Sequence, residues 1–418
     1  MIKKDLENRF LRYVQIDTTS VANSNLTPSS NCQFDLARLL YQELIDLGVS
    51  DVYLDEINCL VYGRLKASKG YEDKVKVAFI AHMDTAPDVS GTNVKPWVYR
   101  NYDGKDVKLN DEYALNVCEF PNILNYIGCD IVFTDGTTLL GGDDKAAISE
   151  IMTMCKILLQ NDEIKHGEIE IAFTPDEEVG GLAKDLDFKR LRADIAYTID
   201  GDYVGYYSDE TFNAIEAQIS IKGKNVHPGT AFGIMKNAVE IGCEIINMLP
   251  SERPNNTKDR IGYYHPHGFK GNVEEGKLLI LLRDHGKEEF NKKIEIINKI
   301  GKELNKKYGD ETIKIKYANS YSSMKEVVDK YPFMIQELEE AIKDAGVKPT
   351  HLAFRGGTDG SSISARGLPC PNISAGYENG HSRFEYVPIE SMEKITHILL
   401  NLVKRLSKIK MENNDEDK

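Results

Sequence analysis

Residues 75–84 read V-K-V-A-F-I-A-H-M-D. Seven of these positions form a short apolar run rich in β-branched residues, with charge before it and polar residues after it. That pattern predicts a buried strand over 75–81. A second run of the same kind, G-E-I-E-I-A-F-T, covers 167–174, and a third, D-I-A-Y-T-I-D, covers 194–200. Between the first two, residues 144–160 place Ile148, Ile151, Met152, Cys155, Ile157 and Leu158 on one helical face. Strands alternating with helices predict an α/β fold whose mixed, largely parallel sheet is covered by helices on both faces.

Working outward, helices are expected over 1–17 and over 33–47, the latter stopped by Gly48. The pattern changes near 211. Residues 214–222 alternate apolar and polar, as in an antiparallel strand with one wet face. A helix over 229–248, a strand over 277–283, a charged helix over 286–308 and a strand over 312–317 complete a small α+β unit. Helices over 326–344 and 388–409 follow. The expected organisation is a catalytic domain in two parts, 1–210 and 325–418, interrupted by a smaller α+β domain at 211–324, with the acidic tail 411–418 disordered. At about 150 residues per domain, 418 residues fit this plan.

Composition narrows the function. Hydrophobic residues make up 41% and charged residues 28%, as in a globular protein rather than a disordered or fibrous one. The formal net charge of −14 repels a phosphate backbone and argues against nucleic acid as a partner. No apolar run reaches the roughly 18 residues that cross a bilayer, so no membrane partner is expected. The start, M-I-K-K-D-L-E-N-R-F-L-R-Y-V, reads as a helix rather than a signal peptide. The seven cysteines are scattered without a C-x-x-C pair, which fits a reducing, cytoplasmic setting.

Ligand sites in open α/β sheets lie beyond the carboxyl ends of strands. Here the three strands run into His82, into Asp176-Glu177-Glu178, and into Asp200. Three such ends supplying histidine or carboxylate point to one shared site. His82 and Asp84 share a face in an extended segment, so Asp84 can orient the ring; H-x-D alone also describes a core histidine bonded to a turn aspartate. In G-G-D-D-K at 141–145, Asp143 and Asp144 can cap the next helix, but two adjacent acids after two glycines also suit a site. Of Glu177 and Glu178, one can ligate an ion while its neighbour takes a proton from water that the ion acidifies. His381 lies in a distant loop, N-G-H-S-R; His166 and His397 look unremarkable. Two histidines and at least three carboxylates match zinc or a similar divalent ion, and one carboxylate shared by two ions would make a two-metal hydrolase.

The motifs, taken together, resemble the tripeptide aminopeptidases of the co-catalytic zinc aminoacylase/carboxypeptidase family. They are F-L-R-Y-V-Q-I-D-T-T-S at 10–20, A-H-M-D-T-A-P-D-V-S-G at 81–91, N-Y-D-G-K-D-V-K-L at 101–109, T-L-L-G-G-D-D-K-A at 138–146, F-T-P-D-E-E-V-G-G at 173–181, A-Y-T-I-D-G at 196–201, N-V-H-P-G-T-A at 225–231, F-R-G-G-T-D-G at 354–360 and N-G-H-S-R-F-E at 379–385. The resemblance implies a zinc-peptidase catalytic domain with two Zn2+ per subunit, replaceable by Co2+ or Mn2+. It implies His82, Asp143 and Asp200 around one ion and Asp143, Glu178 and His381 around the other. Glu177 would be the general base and Asp84 the residue orienting His82. His227, Arg355 and Arg283 would contact substrate, and the inserted domain would be a lid through which a homodimer forms. The implied activity is release of the N-terminal residue from short peptides, preferably tripeptides. Alternatives are a dipeptidase or N-acyl amino acid hydrolase of the same fold, or a non-catalytic metal- or peptide-binding protein. Two departures from the family pattern bear on substrate choice: Gly142 where relatives commonly have alanine, and a 254–264 segment that lacks two glutamates and carries Lys258 and Arg260.

Overall fold

The computed structural model describes residues 2–181 and 183–411, in two compact units. The larger takes in Met1–Asp209, Glu326–Leu352 and Thr358–Lys418, and the smaller Glu210–Lys325 and Ala353–Gly357. Of the tail expected to be disordered, 411–418, Met411 is partly buried against the core of the larger unit, and 412–418 lie outside the described residues.

The larger unit is built on an eight-stranded mixed sheet. Its spatial order is Ser50–Asp55, Leu60–Leu65, Ile169–Thr174, Val77–His82, Ile195–Ile199, Asn372–Ile373, Tyr206–Ser208 and Thr350–His351. The four strands from Ile169–Thr174 to Asn372–Ile373 are mutually parallel. Their continuous apolar runs have a direct cause. Val77, Phe79 and Ala81 enter one core with Ile171, Phe173, Ile195 and Tyr197, while Ala78 and Ile80 enter another with Ala172 and Ala196. With period 2 and both faces covered, both sets of alternate positions are mainly apolar, and the buried exception Glu170 is paired with Arg64 at 2.6 Å. Helices Ile2–Tyr13, Gln33–Leu47, Gly142–Gln160, Phe333–Asp344 and Ile389–Leu406 supply much of the first core. Gly48, at φ +86°, ends the second of these by closing its last turn in a left-handed conformation.

The smaller unit is a four-stranded antiparallel sheet ordered Tyr263–Gly271, Glu275–Asp284, Asn213–Lys222, Ile313–Tyr321. Ala217, Ile219, Ile221, Leu278, Ile280 and Leu282 pack with helices Ala238–Met248 and Lys287–Tyr308. Ser220 is exposed between buried Ile219 and Ile221, the alternation expected of a sheet with one wet face.

Several expectations are corrected. The helix expected from 229 begins only at Ala238, where the Asn237 side chain accepts a hydrogen bond from the Val239 amide at 3.0 Å. Pro228 and Gly233 sit in the irregular segment before it. The helix expected over 326–344 is two helices, Lys325–Val328 and Phe333–Asp344, separated around Pro332, whose ring cannot occupy a helix interior. Strands Ser50–Asp55, Leu60–Leu65 and Tyr263–Gly271 and a three-stranded sheet of Tyr386–Pro388, Ile131–Phe133 and Trp97–Tyr99 were not anticipated. Among the described residues no helix is long and apolar enough to cross a membrane.

Candidate metal centre

Strands Ile169–Thr174, Val77–His82 and Ile195–Ile199 are neighbours and run the same way, so their carboxyl ends adjoin. There, His82, Asp143 and Asp200 bring ligand atoms within 4.8 Å of one another, and so do Asp143, Glu178 and His381. Asp143 belongs to both groups. Its Oδ1 lies 3.0 Å from His82 Nε2, and its Oδ2 lies 3.4 Å from His381 Nε2; His381 Nε2 is also 3.0 Å from Glu178 Oε2.

Local structure explains why Asp143 is free to do this. Gly141 takes φ +85°, and Asp143 and Asp144 have non-helical torsions across a cis peptide bond. Neither side chain caps the helix that follows. Asp144 instead accepts from the His82 amide at 3.2 Å. Asp84 is fully buried, and its carboxylate accepts from the amides of Glu177 (2.9 Å) and Glu178 (3.2 Å). His82 Nδ1 lies 3.1 Å from the main-chain oxygen of Asp84 and 3.4 Å from its Oδ1. Asp84 thus faces His82 but chiefly holds the loop that carries both glutamates. A proton on Nδ1 leaves the Nε2 lone pair directed at Asp143. Asp176 is not part of the site: it accepts from the Ser29 amide (2.7 Å), the Ser29 hydroxyl and Gln33 (2.7 Å), fastening residues 29–33.

Three contributors escaped the sequence reading. Tyr377 donates to Asp200 Oδ1 at 3.0 Å. Asp88 Oδ2 lies 3.3 Å from His381 Nδ1. Buried Glu385 accepts from the amides of Leu140 (2.8 Å), Gly141 (2.7 Å) and Asp143 (2.9 Å). Only Asp88, six residues past His82 in A-P-D, and Glu385, closing N-G-H-S-R-F-E, lay within segments already singled out. Gly142 fits closely into this packing, since a Cβ there would come 2.6 Å from Val387 Cγ2 and 3.0 Å from Glu385 Oε1 unless those side chains shifted.

The electrostatics favour cations. Burial pushes the Glu178 carboxyl up to about 7 and that of Asp200 up to about 6, with the Asp143 charge adding to both. Burial likewise drives Glu177 and Asp144 well above the carboxylate range, and Asp359 to about 7. Burial opposes ionisation of Asp143 too, yet hydrogen bonds with His381 and His82 hold it below its ordinary value. Hydrogen bonding to Asp143 and Glu178 raises His381 to about 11. Among the described residues, the buried Oε1 of Glu178 has no hydrogen-bond partner. Mixed imidazole and carboxylate donors, crowded acid and an orphaned carboxylate oxygen fit two divalent ions sharing Asp143.

Comparison with known proteins agrees with that chemistry. The profile of peptidase family M20/M25/M40 matches residues 141–405. A protein called Peptidase T from Caldanaerobacter subterraneus subsp. tengcongensis is 45% identical over 404 residues, spanning 96% of this chain and 98% of the relative. This chain belongs to peptidase family M20/M25/M40. Another family protein called Peptidase T, from Alkaliphilus oremlandii, is 44% identical over 97% of this chain and 100% of its own. The fold matches the crystal structures of aminopeptidase PepT from Bacillus cereus (TM-score 0.76, 23% identity, 97% and 98% of the two chains) and of a tripeptidase from Staphylococcus aureus (TM-score 0.76, 24% identity, 97% and 99%).

The three remaining candidates lie in the smaller unit of this family member. His227 is exposed, and its Nδ1 accepts from the Gly229 amide at 3.1 Å, which leaves the proton on Nε2. Arg355 donates to the Asp259 main-chain oxygen and to Thr257 Oγ1, each at 3.0 Å, and lies over the rings of Phe212 and Tyr263. Arg283 donates to the Arg355 main-chain oxygen at 3.1 Å, while its buried Nε has no hydrogen-bond partner among the described residues. In the altered 254–264 segment, Arg260 forms a two-pronged pair with Glu210 at 2.5 Å, so the charge it adds is largely matched within the same unit.

Proposed function

We propose that this peptidase is a dinuclear zinc aminopeptidase that releases the N-terminal residue of short peptides, tripeptides before others. One observation carries the reading: two donor groups share Asp143, and Glu177, beside Glu178, belongs to neither. A binding protein needs no such free carboxylate; a hydrolase needs a base. The relatives called Peptidase T, which align over nearly the whole chain, support the choice within the family.

The assigned roles follow from what each residue can hold. His82, Asp143 and Asp200 are the donors for one ion, and Asp143, Glu178 and His381 for the other. When bound, the ions would polarise the substrate carbonyl and lower the pKa of a water from about 15.7 toward about 7. Glu177 takes the proton from the attacking water and returns it to the leaving amine. Asp84 keeps Glu177 in place through its amide and orients His82. His227, with its proton on Nε2, is suited to donate to the oxygen that gains charge. Arg283 and Arg355 are the candidates for the substrate carboxylate, because a guanidinium can grip both oxygens.

The same reading assigns two Zn2+ per subunit, with Co2+ or Mn2+ as substitutes. It makes 1–210 and 325–418 the catalytic domain and 211–324 a lid through which a homodimer forms. It places the protein in the cytoplasm, a setting supported by seven free cysteines. Removing metal with a chelator and assaying Leu-Gly-Gly cleavage tests the core of this reading. Activity should vanish and return with zinc, cobalt or manganese; full activity of demonstrably metal-free protein refutes it.

A further inference from the structure

One loop serves both halves of the donor set. Residues 379–385 form an excursion closed by paired hydrogen bonds between Glu378 and Tyr386, 2.9 and 3.0 Å. His381 sits in it with a left-handed backbone, φ +61°. Ser382 braces the turn, donating to the Asn379 oxygen at 2.7 Å and accepting from the Phe384 amide at 3.1 Å. Gly380 lies so near the shared carboxylate that a Cβ would stand 3.2 Å from Asp143 Oδ2. At the end of the same loop, Glu385 is 1% exposed and accepts three amide hydrogens from 140–143, the turn that presents Asp143.

We propose that Glu385 is a positioning residue for Asp143, clasping the 140–143 turn to the His381 loop so that the shared carboxylate stands correctly between the two cation positions. Three amides converging on one carboxylate is more than loop closure needs. The helix cannot hold this turn in a regular shape, because Asp143 and Asp144 have non-helical torsions within its first turn, where the Lys145 amide still bonds the Gly141 oxygen at 3.3 Å. Outer-shell partners of this kind fix the orientation of a ligand, and their loss typically costs about 10–100-fold in metal affinity. Gly142 completes the device, since a side chain there would strike Glu385 and Val387 unless they shifted.

The inference rests on the two-cation reading, and the test separates the two. Glu385→Gln keeps the shape but gives up one acceptor oxygen. Its remaining oxygen is best turned to the paired amides of Leu140 and Gly141, so the NH2 group faces the Asp143 amide and releases the shared ligand. Stepwise Zn2+ affinities, by chelator competition, and the visible spectrum of the Co2+ form are compared with wild type on protein checked for folding by circular dichroism. Both stepwise affinities should fall by about 10–100-fold, and the Co2+ spectrum should change. A role confined to loop stability would lower only the melting temperature. A folded variant in which either affinity stays within threefold of wild type overturns the proposal. If Glu385→Gln does not fold, Glu385→Asp is read by the same criteria, because a carboxylate one methylene shorter cannot span all three amides. Wild-type protein that takes up fewer than two ions refutes the functional reading itself, and this inference with it.

Discussion

Asp84→Asn is a nearly isosteric change at a fully buried residue whose two oxygens hold the amides of Glu177 and Glu178 at 2.9 and 3.2 Å. Asparagine offers one oxygen, so one of those amides must face an NH2 group. A buried donor stripped of its acceptor costs about 1–3 kcal/mol. The loop can avoid that cost only by moving, and it carries both the proposed base and a proposed ligand. If the cost falls on the metal-loaded form, about 1.4 kcal/mol per tenfold converts it to roughly 5–150-fold in affinity. That range overlaps the 10–100-fold typical of lost outer-shell partners. Loss of a negative charge near the cations acts in the same direction. Zinc affinity by chelator competition and kcat/KM on Leu-Gly-Gly in saturating zinc should therefore both fall, affinity by at least about fivefold. A folded Asp84→Asn protein with wild-type affinity and wild-type kcat/KM would show that the Asp84–loop contacts do not position the site.

Three other outcomes are expected. Glu177→Gln should cut turnover by about 10²–10⁴-fold with metal content unchanged, since Glu177 lies in neither donor group; near-normal turnover in loaded protein would remove it as the base. Metal uptake should release protons. With a folded pKa of about 11 against an ordinary 6.5, His381 is protonated in the metal-free protein; that stabilisation is full below about 6.5 and is lost as pH rises through about 11. Glu178 at about 7 and Asp200 at about 6 add protons as pH falls, so calorimetry in buffers of different ionisation enthalpy should find more protons released at pH 6 than at pH 8, and no release at pH 8 would contradict the assignment. His227→Ala should lower kcat strongly and leave zinc bound; loss of zinc instead would make His227 a structural residue.

The sequence was most legible where burial dictated it. His82 and Asp200 could be read because an uninterrupted apolar run must end where the chain leaves a two-faced core, and a polar residue there faces the sheet's edge. Tyr263–Gly271 was hidden by Pro266 and Gly268, which a central strand excludes; it is an edge strand with its register shift between those two residues. Asp143 and Asp144 were indistinguishable by residue type. Family resemblance pointed to Asp143, and the torsions of the 141–144 turn supply the physical reason: they face Asp143 toward His82 and His381 and Asp144 toward the His82 amide. Asp88, Tyr377 and Glu385 act through contacts that exist only once distant segments close, Glu385 reaching 242 residues back to Asp143. No periodicity records such a contact. Arg355 shows the converse: its place in a glycine-rich loop drew it toward substrate, and it also fastens residues 257–259.

The most direct test of the whole account is a comparison of kcat/KM, in zinc-supplemented buffer, for Leu-Gly, Leu-Gly-Gly, Leu-Gly-Gly-Gly and N-acetyl-Leu-Gly-Gly. The account predicts the highest value for Leu-Gly-Gly and none measurable for the acetylated peptide, whose free amine is gone. A dipeptide, tetrapeptide or acetylated peptide cleaved at least as well as Leu-Gly-Gly would contradict it.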